Sequence, residues 1–305
     1  MMSIDTFTKN VVAALEEEFE GAEVTVKEVV KNNGLKLTGL TVRPEGEVIA
    51  PTIYVEGYYR REQEGSQLFP SIVDDIIDDV RKAMEETPSV SPADFTDWDW
   101  VKSRLGLRLV AGRGNEESLE GAVTYDFLDL KAVLVVNVLE HGQAKVSLDM
   151  LKAWGVTQEA AYEAALENLP AAELMSIEDK LRGIMRASGM SEEDIDMQLS
   201  FMPDGQAGMY CLTNPEGAWG AAELLKPGVL EAATEQLGGD FFIIPSSVHE
   251  VLLVRADGGQ DAESLKEMIC EVNATQVAPD EVLSDHPYFY TKDEGKLTSL
   301  LEDAA

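Results

Sequence analysis

Few of the residues that build metal centres, disulfide scaffolds or nucleic-acid surfaces are present. The 305 residues include two cysteines, Cys211 and Cys270, and three histidines, His141, His249 and His286. That is too little for a Cys/His metal site. Each cysteine sits in an apolar or helical setting and reads as a reduced thiol of a cytoplasmic protein. Bases are also scarce, with 24 Lys and Arg against 57 Asp and Glu, a net charge of −33. The excess is −9 over residues 1–90, −10 over 91–200 and −14 over 201–305, so it belongs to the whole body and not to a tail. Such a field repels phosphate and anionic membrane, which argues against direct nucleic-acid binding, and it attracts a protein partner with a basic surface. No apolar run approaches the ~18 residues of a membrane span. The first apolar positions, Ile4, Phe7, Val11, Val12, Leu15 and Phe19, recur at helical spacing, unlike a signal peptide. Gly112-Arg113-Gly114 is too short for a phosphate loop, and no cofactor is expected.

What is present is ordinary globular material: 45% apolar residues in a chain long enough to bury roughly 75% of its unfolded surface. The pattern predicts an α+β protein in three stretches. Residues 1–90 read as helix, three strands and helix, with a hairpin turn at Asn32-Asn33-Gly34 and the third strand in "EVIAPTIYVEGYY". Residues 91–200 follow the Pro-containing "TPSVSPADF". They carry a short helix at Trp98–Trp100, strands near 105–110, 123–127, 132–139 and 144–148, then helices over 148–154, 158–168 and 171–186. Residues 201–305 read as strand 209–212, broken helix 218–236, strands 240–244 and 248–255, helix 264–272 and strand 287–291. That β-α-β-β-α-β order is ferredoxin-like.

Four stretches have residues that could do chemistry. In "IIPSSVHEVLLV" (243–254), Pro-Ser-Ser between two apolar runs suits a hairpin bend. If 248–254 is a strand, Ser247 and His249 share one face and Glu250 takes the other. A serine nucleophile with His249 would still need an acid and oxyanion donors, and Asp285 or His286 could supply the acid or base if the last strand pairs nearby. Asp74, Asp75, Asp78 and Asp79 fall on adjacent helical turns and resemble the D-D-x-x-D magnesium motif of isoprenoid synthases, but an acidic solvated face is the preferred reading, because the apolar residues on the other side explain the helix without a metal. "KSRLGLRLVAGR" (102–113) holds Lys102, Arg104, Arg108 and Arg113 without an acid. It offers an anion site or, as expected here, pairs with surrounding acids. Trp98-Asp99-Trp100, Tyr58-Tyr59 and 288–290 are aromatic clusters that suit packing or a peptide groove.

"APTIYVEGYY", "LKAWGVTQEAAYEAALEN", "MYCLTNPEGAWGAAELL", "IIPSSVHEVLLV" and "MICEVNATQVAPDEVLSDHPYFY" occur in one order over nearly the whole chain. Together they resemble an uncharacterised family from gut Gram-positive bacteria catalogued as a domain of unknown function (5688-type). The resemblance implies a bacterial protein associated with mobile elements and supplies no activity, cofactor or catalytic residue.

The expectation is therefore a non-enzymatic acidic interaction module of a bacterium or its mobile element, in its sharper form a nucleic-acid mimic whose carboxylates imitate phosphates. The alternatives are a hydrolase-type enzyme around Ser247 and His249, and a divalent-metal site at Asp74–Asp79. Nothing in the sequence sets the oligomeric state.

Overall fold

A computed structural model describes residues 2–47, 49–87, 90–138, 142–201 and 208–300; His141 and the end of the strand expected over 132–139 lie outside them. Helix α1 (Ile4–Glu18) starts where the Ser3 hydroxyl accepts a hydrogen bond from the Thr6 amide. It buries Phe7, Val11 and Leu15, spaced by four. Strands β1 (Glu23–Val30), β2 (Lys36–Arg43) and β3 (Thr52–Tyr54) form an antiparallel sheet in sequence order. Helices α2 (Glu56–Gln63) and α3 (Phe69–Glu86) follow, α3 setting Ile72, Ile76 and Val80 against Phe7, Leu40 and Val42. Each such side chain contributes about 1.5–3 kcal/mol on burial.

The third strand is shorter than expected, because "YVEGYY" is mostly helix. Pro51 cannot donate to a ladder, and the Glu56 carboxylate accepts the Thr38 amide at 2.6 Å just as the first turn of α2 begins. Tyr58 and Tyr59 therefore lie on a helix and not on alternating strand faces.

Next come α4 (Trp98–Lys102), β4 (Leu105–Ala111), β5 (Thr124–Phe127), β6 (Leu130–Asn137), β7 (Gln143–Lys145), α5 (Leu148–Trp154) and α6 (Gln158–Asn168). β6 is central, with β4 on one side and β5 and β7 on the other. β7 ends before the expected 148 because the Ser147 hydroxyl caps α5 by accepting the Met150 amide. Buried Ala161, Ala164 and Ala165 let α6 lie close on β4.

The expected helix over 171–186 is half right. Residues 173–176 form β8 (Glu173–Ser176), and only then does α7 (Ile177–Ala187) start, with Ser176 as its cap. Pairing with β9 (Met209–Thr213), Glu173 opposite Thr213 through Ser176 opposite Tyr210, overrides the helical preference of "AAELM". The remaining elements are α8 (Glu192–Leu199), α9 (Val229–Leu237), β10 (Phe241–Ile244), β11 (Val251–Arg255), α10 (Ala262–Thr275), β12 (Tyr288–Thr291) and β13 (Lys296–Ser299). They build an antiparallel sheet in the order β13-β12-β10-β11-β9-β8. One face sends Phe241, Ile243, Leu253 and Tyr288 into a core shared with β4, β6 and α6. The other sends Phe242, Ile244 and Val254 under Leu265 and Ile269 of α10.

The α+β class holds, with three antiparallel sheets among the described residues. The ferredoxin-like detail needs correction. The β-α-β-β-α-β element order is present, but β9 and β12, neighbours in a ferredoxin-like sheet, are separated by β10 and β11, and β8 and β13 extend both edges.

Three segments meet at the tip of the first hairpin. Asn33 adopts a left-handed backbone, φ +57°, and its amide donates to Oδ1 of Asn115 at 2.8 Å. Asn115, 1% exposed, returns a bond to Asn33 Oδ1. Asn33 Nδ2 also donates to the carbonyls of Pro279 and Val282. Asn115→Ala leaves the Asn33 amide without its acceptor and should lower stability by about 2 kcal/mol, read as the urea midpoint. An unchanged midpoint would show that the tip does not hold these segments together.

Candidate functional site

The bend between β10 and β11 is built from its serines. The Ser247 amide donates to the Glu250 carbonyl, its hydroxyl accepts the His249 amide at 3.0 Å, and the Val248 amide donates to the Glu281 carbonyl. Because β11 starts at Val251, three residues later than expected, the bend and not strand alternation aims His249. The Ser247 hydroxyl meets the His249 backbone and not its ring. Glu250 turns elsewhere, pairing with Lys180 and accepting from the Cys211 thiol at 3.5 Å. Burial pushes that thiol up to about 11.

His249 Nδ1 accepts a hydrogen bond from the Trp219 amide at 3.1 Å, and Nε2 lies 3.5 Å from Glu281 Oε1. The first contact fixes Nδ1 as the unprotonated nitrogen. Trp219 is the residue it holds, in a left-handed backbone with φ +58°. A bulky residue there is a genuine outlier. Gly220 follows because nothing larger fits. A Cβ would stand 2.4 Å from Thr213 Oγ1 and 2.5 Å from the His249 carbonyl oxygen.

Trp219 and His249 wall a cavity of about 550 Å³ that is also lined by Asn137, Gln143, Asn168 and Asn214. Asn214 is 5% exposed; its Nδ2 donates to the Ala218 carbonyl, while its Oδ1 has no hydrogen-bond partner. The Arg108 guanidinium lies over the Trp219 ring, 3.8 Å from its centroid, and donates to Gln143 Oε1. Burial pushes Arg108 down to about 10, so it stays charged at neutral pH. Beneath the 3₁₀ turn at Gly220–Leu225, Glu223 is fully buried. Lys226 Nζ is 3.0 Å from its Oε2 but without hydrogen-bonding geometry. Burial raises the Glu223 carboxyl against the pull of Lys226.

Asp285 and His286 belong to a different place. Asp285 Oδ1 accepts from Asn273 Nδ2 at 2.8 Å. His286, 4% exposed, has Nδ1 3.0 Å from Ser284 Oγ and Nε2 2.9 Å from Ser299 Oγ and 3.3 Å from Asp129 Oδ2. Burial works to raise the Asp129 carboxyl, yet contact with His286 carries it below its ordinary value. Ser284, Asp129 and His286 line a second cavity of about 950 Å³. Ser247 and His249 line the bend and the first cavity, so the structure does not bring the four expected residues together. Asp129, on the β5–β6 turn, and Ser284 had no spacing by which to be found.

Three of the four α3 aspartates have partners: Asp75 has Arg61 and Gln67, Asp78 has Arg81, and Asp79 has the Tyr58 hydroxyl, while Asp74 is exposed. Among the described residues no group of three or more His, Cys, Asp or Glu is placed to hold a metal ion. The basic stretch departs from expectation. Arg104 stacks on Trp100 and donates to its carbonyl. None of Lys102, Arg104, Arg108 and Arg113 lies within 4.0 Å of a carboxylate among the described residues.

Glu223 yields a pH prediction. Its folded value lies above the ordinary 4.5, so the stability it contributes is full below that pH and is lost as pH rises through the raised value. Glu223→Gln stays neutral, and its stability relative to the wild type should therefore climb from about pH 4 to about pH 8, measured as urea midpoints. A pH-independent difference would mean that Lys226 keeps the carboxylate charged throughout.

A search of curated proteins returned no match, nor did a search of solved structures. The profile of a family of unknown function, DUF5688, matches residues 4–292, a span that includes the bend and both cavities, and the chain belongs to that family.

Proposed function

We propose that the chain is a non-enzymatic binding module whose Trp219–His249 cavity seats a small polar ligand, while its acidic surface faces a basic protein partner. The observation that carries this is the Trp219 backbone. A left-handed bulky residue costs about 1–2 kcal/mol, and such strain clusters at functional sites. Here it sets an indole against a cavity lined by the side chains of Asn137, Gln143, Asn168 and Asn214. His249 acts by position: Nδ1 is taken by the Trp219 amide and Nε2 faces Glu281, so no ring nitrogen is aimed at Ser247. Free Cys211 and Cys270 are compatible with the cytoplasm, and no helix among the described residues is long and apolar enough to cross a membrane. Occupation of the α3 acids by Arg61, Arg81 and Tyr58 weighs against a phosphate-mimicking stripe there.

The test is affinity capture from a lysate of the native host, identifying bound small molecules and proteins at low and high salt. The wild type should retain a small molecule that Trp219→Gly loses, since glycine keeps the left-handed backbone and removes only the ring. A protein partner should be released at high salt. If both chains retain the same set, the cavity is not the site.

One observation favours a second reading, a hydrolase. Ser284 Oγ, His286 and Asp129 form a hydroxyl–imidazole–carboxylate chain at the larger cavity. A fluorophosphonate should then label the wild type at Ser284 and spare Ser284→Ala. No labelling would leave the chain as a structural tie between the β5–β6 turn and the last sheet.

A further inference from the structure

Helix α7 is amphipathic without a partner for its apolar side. Ile177, Leu181, Ile184 and Met185 fall at i, i+4, i+7 and i+8, a stripe of the kind that α3 buries through Ile72, Ile76 and Val80. Yet α7 buries none of its residues, and Ile184 is 57% exposed. Over the same face of the last sheet lies α10, which presents Met268, 38% exposed. Between the two helices runs a groove of about 490 Å³. Ile177 and Leu181 form one wall, Met268 and Val272 the other. Ile244 and Leu252, directly opposite each other on β10 and β11, make the floor. The α7 stripe continues past the cavity to Ile184.

The unmatched charge beside this groove has one sign. All three bases of α7 are taken: Lys180 by Glu250, Arg182 by Glu178, Glu192 and Asp196, and Arg186 by Glu192. On α10, Glu263, Glu267 and Glu271 recur every four residues, exposed and in no ion pair among the described residues. Like charges at that spacing oppose the helix that carries them. Glu271 stands one helical turn beyond Met268, so this acidic row passes beside the methionine wall. Lysines or arginines of a partner would relieve the repulsion, and methionine adapts to the apolar side chains that come with them.

We propose that the groove between α7 and α10 docks a basic amphipathic helix of a partner protein. Its apolar face lies against Ile177, Leu181, Ile184 and Met268, and its lysines or arginines lie over Glu267 and Glu271. The inference rests on the acidic surface facing a basic partner, and adds where that partner docks and with what chemistry. A second copy of the chain is repelled by its own net charge of −33. A small apolar ligand would fill the cavity and leave both Ile184 and the glutamates uncovered.

A peptide of about 18 residues, with leucine at i, i+3, i+4 and i+7 and lysine elsewhere, serves as the probe. Its control has the same composition in an order that gives no apolar face. The first should bind the full chain about tenfold tighter than the second, read by fluorescence anisotropy at one ionic strength. Met268→Glu and Ile184→Glu sit at exposed positions and add acid, yet each should weaken the first peptide about tenfold by spoiling its apolar contact. Replacing Glu267 and Glu271 together by glutamine should weaken it about threefold, a difference that high salt removes. Equal binding of the two peptides, or binding that both added glutamates leave intact or strengthen, overturns the groove. So does self-association of the wild type that Met268→Glu abolishes, which would make a second copy the occupant. If the peptide fails while a protein captured from the lysate still leaves at high salt, this groove is not the dock and the basic partner of the acidic surface stands.

Discussion

An amide hydrogen bond from Trp219 to His249 Nδ1 holds a large residue in a backbone conformation it resists, and much of the C-terminal half is arranged to keep it there. The serine bend aims His249 by accepting its amide, and Thr213 Oγ1 donates to its carbonyl. Gly220 lets the chain pass between Thr213 and His249 with no room to spare. The indole so placed covers Arg108 on one side and walls a cavity on the other. Remove the imidazole acceptor and every later contact in that series loses its reason.

The second constraint is charge. Most acids are solvated or paired locally at the surface, where each pair contributes little to stability. Two exceptions lie close to the cavity: Glu223 is sealed in the 3₁₀ turn beside Lys226 and the Asn214 amide, and Arg108 is sealed under an indole with no acid within ion-pair distance among the described residues. A chain with so many carboxylates could have matched Arg108 with one; it sets the Gln143 amide and the Trp219 ring there instead.

Much of the fold was legible where periodicity ran long. The stripe Ile72, Ile76, Val80 and the helices over 148–154 and 158–168 follow directly from apolar spacing and caps. Reading failed where pairing partners are remote. "AAELM" becomes β8 only because β9 lies beside it, and "YVEGYY" becomes α2 because Glu56 finds the Thr38 amide. The site was legible only in part. "PSSVHE" marked the bend, but the partner of His249 is a backbone amide thirty residues earlier, and a backbone amide has no residue type to recognise. Arg108 stood out as basic, while its isolation from acids is a three-dimensional fact. Asp129 reaches His286 from a turn more than a hundred and fifty residues away, beyond any spacing rule.

The central claim, that the Trp219–His249 cavity is where this protein binds, can be tested through its four tryptophans, Trp98, Trp100, Trp154 and Trp219. Three of them pack around α4 and α5, and only Trp219 faces this cavity. Fluorine NMR of 5-fluorotryptophan-labelled protein, titrated with the small molecule retained from the lysate, reads each ring separately. The account predicts that the Trp219 resonance moves saturably while the other three stay. A still Trp219 resonance, or four resonances moving together, would contradict it.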